Sequence, residues 1–283
     1  MVPLILPASA YPKSALVSFL NSAPLSFSNL DWISDRERLE GQFCYTLIDE
    51  SQVKALISCE PENHSAAWLR FFLSQSDGEH SGYFTNLLER ALADLRAARV
   101  PALFTLSFKS WHEQLFSDHG FAGYTQIITL IRTGVLTPPV KPHPRLSIRP
   151  ITADDLPEIE ELDHAAFSPP WQLNTKTLQA AFRACSYSTA AFLEDKLVGY
   201  QMTAASFDSA HLARLAVLPQ AQQQGVGSGL ALDTIREAES RGSTDFTVNT
   251  QTNNAASLKL YKRLGFRQEG RLIPVLIRAV SAS

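Results

Sequence analysis

Cysteine is scarce in this sequence, and its three copies, Cys44, Cys59 and Cys185, form no Cys-x-x-Cys pair and no Cys/His cluster. We therefore expect reduced thiols and no metal site. Long apolar runs are also missing, so nothing in the sequence is long enough to cross a bilayer. The N-terminal stretch is apolar, but it has no basic residues ahead of it and is broken by prolines, which argues against a secretory signal. We expect a cytoplasmic protein with no membrane partner.

Positive charge is not in excess, because the formal net charge is −3 at pH 7. Proteins that bind nucleic acids are usually basic, so we expect no nucleic-acid partner. The chain is rich in apolar residues instead: 45% of its 283 residues are hydrophobic and 19% are charged. That composition is sufficient for two packed cores.

A proline-rich stretch divides the chain into two nearly equal halves. Residues 133–145, TGVLTPPVKPHPR, carry four prolines and show no hydrophobic periodicity. Such a stretch is typical of a linker between domains. We therefore predict one domain over residues 1–132 and a second over residues 146–283.

The C-terminal half alternates strand-like and helix-like patterns, which predicts a mixed α/β fold around one sheet. Gly265 ends the last helical pattern, as a glycine often does. Strands are predicted at residues 146–152, 188–195, 196–207, 211–219, 244–250 and 271–280, and helices at 154–167, 175–185, 230–241 and 254–265.

The N-terminal half repeats these patterns in a similar order. A Gly-Phe pair follows the last predicted helix of each half, at residues 120–121 and at 265–266. Phe116 stands in the first half where Tyr261 stands in the second. We infer two copies of one fold.

The stretch QQQGVGSGL, residues 222–230, places three closely spaced glycines immediately before a helix. Glycine lets the backbone turn sharply and approach a ligand, and a helix N-terminus offers unpaired N–H groups. The two features together form an anion-binding turn, usually for phosphate. A glycine-rich turn without a ligand explains the same residues equally well.

Two motifs in order resemble the signatures of the GNAT superfamily of N-acetyltransferases. Gln222-x-x-Gly225-x-Gly227 resembles the first, and the segment from Asn254 through Tyr261 to the 265–266 Gly-Phe pair resembles the second. Within the superfamily, this second signature and HAAFSPPW at 164–171 are similar to the ribosomal-protein-alanine N-acetyltransferases. The two-copy layout is similar to that of tandem members. The resemblance implies two tandem GNAT-like α/β domains with mixed sheets, of which the N-terminal one is degenerate.

The resemblance also implies acetyl-CoA as cosubstrate, with its pyrophosphate on the glycine turn and its pantetheine along the strand before the turn. Asn254 would then contact the cofactor, although asparagine is equally favoured as a plain helix N-cap. The residues implied in cofactor binding are Leu215, Ala216, Val217, Gln222, Gln223, Gln224, Gly225, Val226, Gly227, Ser228, Asn254 and Ser257.

Two catalytic groups are expected by the same resemblance. Tyr261 stands where the family places the acid that protonates the leaving thiolate, and packing is its alternative role. Asn249 stands where the ribosomal-protein-alanine branch has a glutamate base, and an amide cannot take a proton at neutral pH. His211 falls where other members place a base, and an imidazole has a suitable pKa. An exposed histidine without a role, or a chain of waters, is the alternative.

Two further residues are open at this stage. Trp171 stands where related enzymes carry a loop over the acceptor site, so it either lines a channel or fills the core. Arg214 has a counterpart at Arg70 in the first half, which favours a structural role.

The N-terminal half lacks the features that the second half shares with the family. Asp77 and Glu79 stand where phosphates would bind, and negative charge repels them. Lys109 replaces Asn254, and Phe116 replaces Tyr261. We therefore expect a single active site in the second half, which transfers acetyl to a primary amine on a small molecule or a peptide N-terminus. The alternative is a non-catalytic acyl-CoA sensor, and the oligomeric state is left open.

Overall fold

The computed structural model describes residues 3–29, 31–134, 143–206 and 208–280. The chain forms two compact units: the first contains residues 1–124 and 274–283, and the second contains residues 125–273. Most of the predicted linker, residues 135–142, lies outside the described residues. The assignment of residues 1–132 and 146–283 as two domains therefore stays a prediction.

The described residues form strands and helices in alternation, which confirms the predicted mixed α/β class. The strands are β1 (Leu4–Pro7), β2 (Leu25–Ser28), β3 (Cys44–Asp49), β4 (Gln52–Asn63), β5 (Ala66–Ser74), β6 (Ala102–Leu106), β7 (Ala122–Thr133), β8 (Leu146–Pro150), β9 (Tyr187–Leu193), β10 (Lys196–Ala205), β11 (Ser209–Val217), β12 (Asp245–Gln251) and β13 (Arg267–Ala279). The helices are α1 (Lys13–Ser22), α2 (Asp35–Arg38), α3 (His80–Ala97), α4 (Ser110–Asp118), α5 (Leu156–Ala166), α6 (Thr175–Ala184), α7 (Val226–Ser240) and α8 (Ala255–Arg263).

The first unit is built on strands in the order β1-β3-β4-β5-β6-β13, with β2 added to β5. Among the described strands of this unit, only β5 and β6 run parallel, through two residue pairs. One face of this sheet packs on α3 and α4, whose apolar side chains enter a core rich in phenylalanine. The first four elements of this unit, β1, α1, β2 and α2, have no counterpart in the sequence-based prediction.

The second unit is built on strands in the order β7-β12-β11-β10-β9-β8. Helices α7 and α8 pack on one face, where Leu212, Val248 and Tyr261 share a core with Ile235. Gly199 allows α7 to lie close to β10, because a Cβ atom there would sit 3.1 Å from the side chain of Leu230 and 3.3 Å from that of Val226 on α7. The predicted elements of this half are present, although β13 begins four residues earlier than the strand predicted from residue 271.

Each unit takes its last strand from the other half of the sequence. In the second unit, β7 pairs antiparallel with β12 from Thr133↔Asp245 to Ile127↔Gln251. In the first unit, residues 275–279 of β13 pair antiparallel with β6. Residues 146–283 alone therefore do not contain the complete second sheet.

None of the described helices is both long and apolar enough to cross a membrane. Within the described ranges, no group of three His, Cys, Asp or Glu side chains is placed to hold a metal ion.

Candidate active site

A cleft of about 1120 Å³ opens in the second unit between the end of β11, the glycine turn and one face of α8. It collects nearly all the residues that the sequence implicated in cofactor binding. Val226 is the exception, since its side chain is buried in the core behind the turn. The implicated residues that line the cleft are Leu215, Ala216, Val217, Gln222, Gln223, Gln224, Gly225, Gly227, Ser228, Asn254 and Ser257.

The glycine turn has the geometry of an anion site. Gln223 and Gly225 have positive φ angles of 62° and 87°. The side-chain amide of Gln222 donates to the carbonyl of Val217 at 3.2 Å, and that of Gln224 donates to Gln220 at 2.8 Å. Gly225 is the N-cap of α7 and has no side chain to satisfy the first N–H groups of the helix. These groups and the positive end of the helix dipole are left facing the cleft.

The main chain of β11 has a free edge beside this turn. β11 and β12 pair in parallel only from Ser209↔Asp245 to Leu212↔Val248, although both strands continue beyond. The pairing of β11 with β10 skips Ala213, which is a bulge at the same point. No strand of the described chain pairs with the outer edge of β11 after Leu212. Backbone donors and acceptors there are available to an extended ligand.

The first unit fills the equivalent edge with its own chain. β5 and β6 also diverge early, after the pair Trp68↔Phe104. Beyond that point β2 pairs antiparallel with β5, from Ser28↔Phe71 to Leu25↔Ser74. The first unit therefore has no free strand edge at the position where the second unit has its cleft.

Tyr261 does not line the cleft, although its neighbour Leu260 does. Its side chain is 4% exposed and packs on Phe266, with ring centroids 5.4 Å apart. Burial raises the pKa of its hydroxyl. The hydroxyl has no hydrogen-bond partner among the described residues. Tyr261 is thus a protonated core residue at neutral pH, and both of its expected roles remain open.

His211 lies on β11 one residue before the strands diverge and does not line the cleft. Its Nδ1 is 2.8 Å from the hydroxyl oxygen of Thr247. That hydroxyl also donates to the carbonyl of Ala210 at 3.4 Å. Thr247 thus fixes the orientation of the His211 ring through Nδ1, whichever of the two groups supplies the proton of that hydrogen bond. Burial lowers the pKa of His211, which keeps the ring neutral at neutral pH.

His211 and Tyr261 lie on opposite faces of the sheet, near the point where β11 and β12 separate. Leu212 points into the core that contains Tyr261, and successive side chains of a strand alternate between faces. His211, Thr247 and Asn249 therefore share the other face. Asn249 is exposed there, and its Oδ1 accepts a hydrogen bond of 2.9 Å from the Thr129 hydroxyl on β7.

Arg214 has the structural role that its counterpart suggested. Its guanidinium forms an ion pair of 2.5 Å with Asp163, which is fully buried, and donates to the carbonyl of Trp171 at 2.6 Å. The same guanidinium lies 3.7 Å from the ring centroid of Phe167. Phe167 lines the cleft and Trp171 does not. The ion pair thus fixes the segment after α5 that forms one wall of the cleft.

Several lining residues were missed by the sequence analysis. Lys259 and Arg263 follow Asn254 on the face of α8 that also carries Ser257. Their helical spacing was the available signal, because positions four apart lie on one face. The other missed lining residues are His143, Pro144, Ala166, Phe167, Ala256 and Leu260.

Comparison with known proteins agrees with this geometry. Residues 156–266 match the acetyltransferase (GNAT) family. The [ribosomal protein bS18]-alanine N-acetyltransferase of Escherichia coli K12 is 29% identical over 122 residues, which cover 43% of this chain and 81% of that protein.

Solved structures resemble the chain over nearly its whole length. A GCN5-related N-acetyltransferase from Sphaerobacter thermophilus has a TM-score of 0.58 at 13% identity and covers 99% of this chain and 96% of its own. A tandem GNAT protein from the clavulanic acid biosynthesis pathway has a TM-score of 0.57 at 12% identity, with 95% and 88% covered. These likenesses show a fold shared with both proteins, of which the second is described as a tandem GNAT protein. The C-terminal half of the chain is therefore an acetyltransferase domain of the GNAT family, homologous to the ribosomal-protein-alanine N-acetyltransferases.

Proposed function

We propose that the protein is an acetyl-CoA-dependent N-acetyltransferase with one active site, located in the second unit. The observation that carries this proposal is the meeting of two unsatisfied backbone features in one cleft. The uncapped first turn of α7 provides N–H groups for phosphates, and the free edge of β11 provides partners for an extended amide chain. Acetyl-CoA presents both groups in one molecule.

When bound, acetyl-CoA supplies the acetyl group as a thioester. The chain's own contribution is binding: the N–H groups after Gly225 would hold the pyrophosphate, and the main chain of residues 215–217 would hold the pantetheine. Asn254 already accepts from the Ser257 N–H at 3.1 Å, so its cap role is met and its free amide N–H groups face the ligand.

His211 serves as the base in this proposal. An attacking amine must be neutral, and in this proposal the Nε2 of His211, on the face of the sheet that carries Asn249, accepts its proton. Thr247 holds the ring through Nδ1, and in this proposal its hydroxyl accepts from the Nδ1–H, which leaves Nε2 to take the proton. Tyr261, which packs on the other face of the sheet, would serve as the acid that protonates the thiolate. The amine attacks directly, without a covalent intermediate on the enzyme.

The acceptor is a primary amine, on a peptide N-terminus or a small molecule. The name of the bacterial relatives describes action on an alanine of a ribosomal protein, which supports a peptide acceptor. The face of the sheet that carries His211, where the amine would bind, has Asn249 and Thr129 in place of a carboxylate. A neutral, hydrogen-bonding surface suits a neutral amine better than a cationic one. The reaction would take place in the cytoplasm.

The first unit neither binds acetyl-CoA nor catalyses in this proposal. β2 covers the strand edge that pantetheine would need. Asp77 and Glu79 precede α3, where the phosphates would lie. Phe116 is fully buried at the position of Tyr261, and it has no proton to donate.

Release of free thiol from acetyl-CoA tests the proposed activity. We expect the purified protein to release CoA in the presence of an amine panel that includes alanine-terminated peptides and small primary amines. Turnover with any member supports the enzyme. Because Asn249 replaces an expected carboxylate, a non-catalytic acyl-CoA sensor is the second candidate. Tight binding of acetyl-CoA with no thiol release from any amine would favour the sensor.

A further inference from the structure

The cofactor cleft carries cations on one wall only. The glycine turn contributes three glutamines and no charged side chain. Lys259 and Arg263, four residues apart on α8, provide the permanent positive charge among the described lining residues. None of those lining residues is an aspartate or a glutamate. The wall formed by Lys259 and Arg263 thus attracts anions without an acidic neighbour in the cleft.

Both cations are available for a ligand. Their side chains are exposed, and within the described ranges neither forms an ion pair or a hydrogen bond. Several other exposed arginines of the second unit form ion pairs, for example Arg241 with Glu237 at 2.5 Å and Arg267 with Glu269 at 2.8 Å, whereas Arg183 and Arg236 do not within the described ranges. Two unpaired cations on one helix face repel each other, and a bound anion relieves that repulsion.

The first unit provides an internal comparison. Helix α4 spans nine residues, as α8 does, and its Gln114 and Asp118 hold the positions of Lys259 and Arg263. The amide of Gln114 donates to the carboxylate of Asp118 at 2.8 Å, so this face is neutral to acidic and satisfied within itself. The copy whose strand edge is closed by β2 therefore also lacks the two cations.

We infer that Lys259 and Arg263 bind the 3′-phosphate of the coenzyme and select the 3′-phosphorylated form over its dephosphorylated analogue. The inference rests on the proposed function. The pyrophosphate is served by the backbone N–H groups of the turn, which need no side-chain charge. The remaining phosphate of the coenzyme is a dianion, and Lys259 and Arg263 are the permanent cations that the described lining offers it. An arginine and a lysine match the geometry and charge of a phosphate monoester.

The test measures the dissociation constants of CoA and of dephospho-CoA by calorimetric titration. For the unaltered protein we expect CoA to bind about tenfold more tightly than dephospho-CoA, or about 1.4 kcal/mol. In the double variant K259Q/R263Q, CoA affinity should fall by that factor while dephospho-CoA affinity stays within about twofold. Since neither side chain has a partner among the described residues, the melting temperature without ligand should be unchanged.

A matched control removes two cations that do not line the cleft. Lys262 is exposed on α8, and Arg236 is exposed on α7. The variant K262Q/R236Q has the same net charge as K259Q/R263Q, and its CoA affinity should equal that of the unaltered protein. In the unaltered protein, added salt should weaken the binding of CoA more than that of dephospho-CoA. In K259Q/R263Q, it should weaken the binding of both ligands equally.

The outcomes separate this inference from the proposed function. Equal binding of CoA and dephospho-CoA by the unaltered protein overturns the inference and leaves the cofactor assignment intact. Equal losses for both ligands in K259Q/R263Q also overturn it, because the pair would then serve the pyrophosphate. If the unaltered protein binds neither ligand, the proposed function itself fails.

Discussion

Replacing Tyr261 with phenylalanine is expected to lower kcat by a factor of about 10² to 10⁴ while acetyl-CoA binds with unchanged affinity. The variant removes one hydroxyl and keeps the ring that packs on Phe266. The fold should tolerate this, because the first unit buries Phe116 at the matching position. The rate falls since the leaving thiolate loses its proton donor. Steady-state thiol release and calorimetric binding, measured on the same preparation, check the two halves of the prediction.

A second hydroxyl deletion provides the control for Tyr261. Tyr187 lies on β9 in the same unit, and its hydroxyl donates to Asp233 at 2.8 Å, away from the cleft lining. Y187F should leave kcat unchanged. Full activity of Y261F would show that Tyr261 is only a core residue and that the acid role is wrong.

Replacing His211 with alanine should lower kcat/KM at neutral pH by about two orders of magnitude or more. Burial holds the pKa of His211 below its ordinary value of about 6.5, so the folded enzyme keeps a neutral base down to a lower pH than free imidazole would. The unaltered enzyme should therefore lose activity only as the pH falls below about 6.5. H211A should lack that acid limb and recover part of its rate at high pH, where the free amine is deprotonated by solvent.

The free energy of unfolding should also decrease as the pH is lowered. Because the folded pKa of His211 is depressed, its contribution is complete above about pH 6.5 and is lost as the pH falls through the folded pKa. The exposed His64 on the first unit provides the control, since H64A should keep the pH dependence of stability of the unaltered protein.

If kcat/KM of H211A depends on pH in the same way as that of the unaltered enzyme, His211 is not the base.

The location of the cleft could be predicted from the sequence because two local signals met there. Glycine before a helix and asparagine at a helix start each fix backbone geometry through their neighbours alone. The structure places Gly225 and Asn254 on facing walls of one cleft, as expected from the two motifs. Which side of α8 faces the ligand is set by packing, so Lys259 and Arg263 were not identified from the sequence.

Long-range pairing explains what the sequence analysis missed in the fold. The strand LSFS of β2 is four residues long and carries no distinct pattern, yet its pairing with β5 covers the strand edge of the first unit. Similarly, β7 reads as the last strand of the first half, but it pairs with β12 in the second unit. Hydrogen bonds between strands distant in sequence leave no local trace, so neither arrangement follows from periodicity.

The exchange of last strands has a consequence for the active site. Thr129 on β7 comes from the first half of the sequence and donates to Asn249, which replaces the expected glutamate of the second. Thr129 precedes the predicted linker in sequence but belongs to the second unit, so a residue from before the linker completes the surroundings of Asn249.

Calorimetric titration of the purified chain with acetyl-CoA, with CoA and ATP as comparison ligands, tests whether the glycine turn is a coenzyme site. We expect one acetyl-CoA to bind per chain, CoA to bind with similar affinity, and ATP not to bind at the same concentration. When the concentration of acetyl-CoA is a hundred times its dissociation constant, it should also stabilise the fold by about 2.7 kcal/mol, which thermal denaturation can verify. Absence of binding would reduce the glycine turn to a plain connection. Binding of two acetyl-CoA molecules per chain would contradict the conclusion that β2 blocks the first unit.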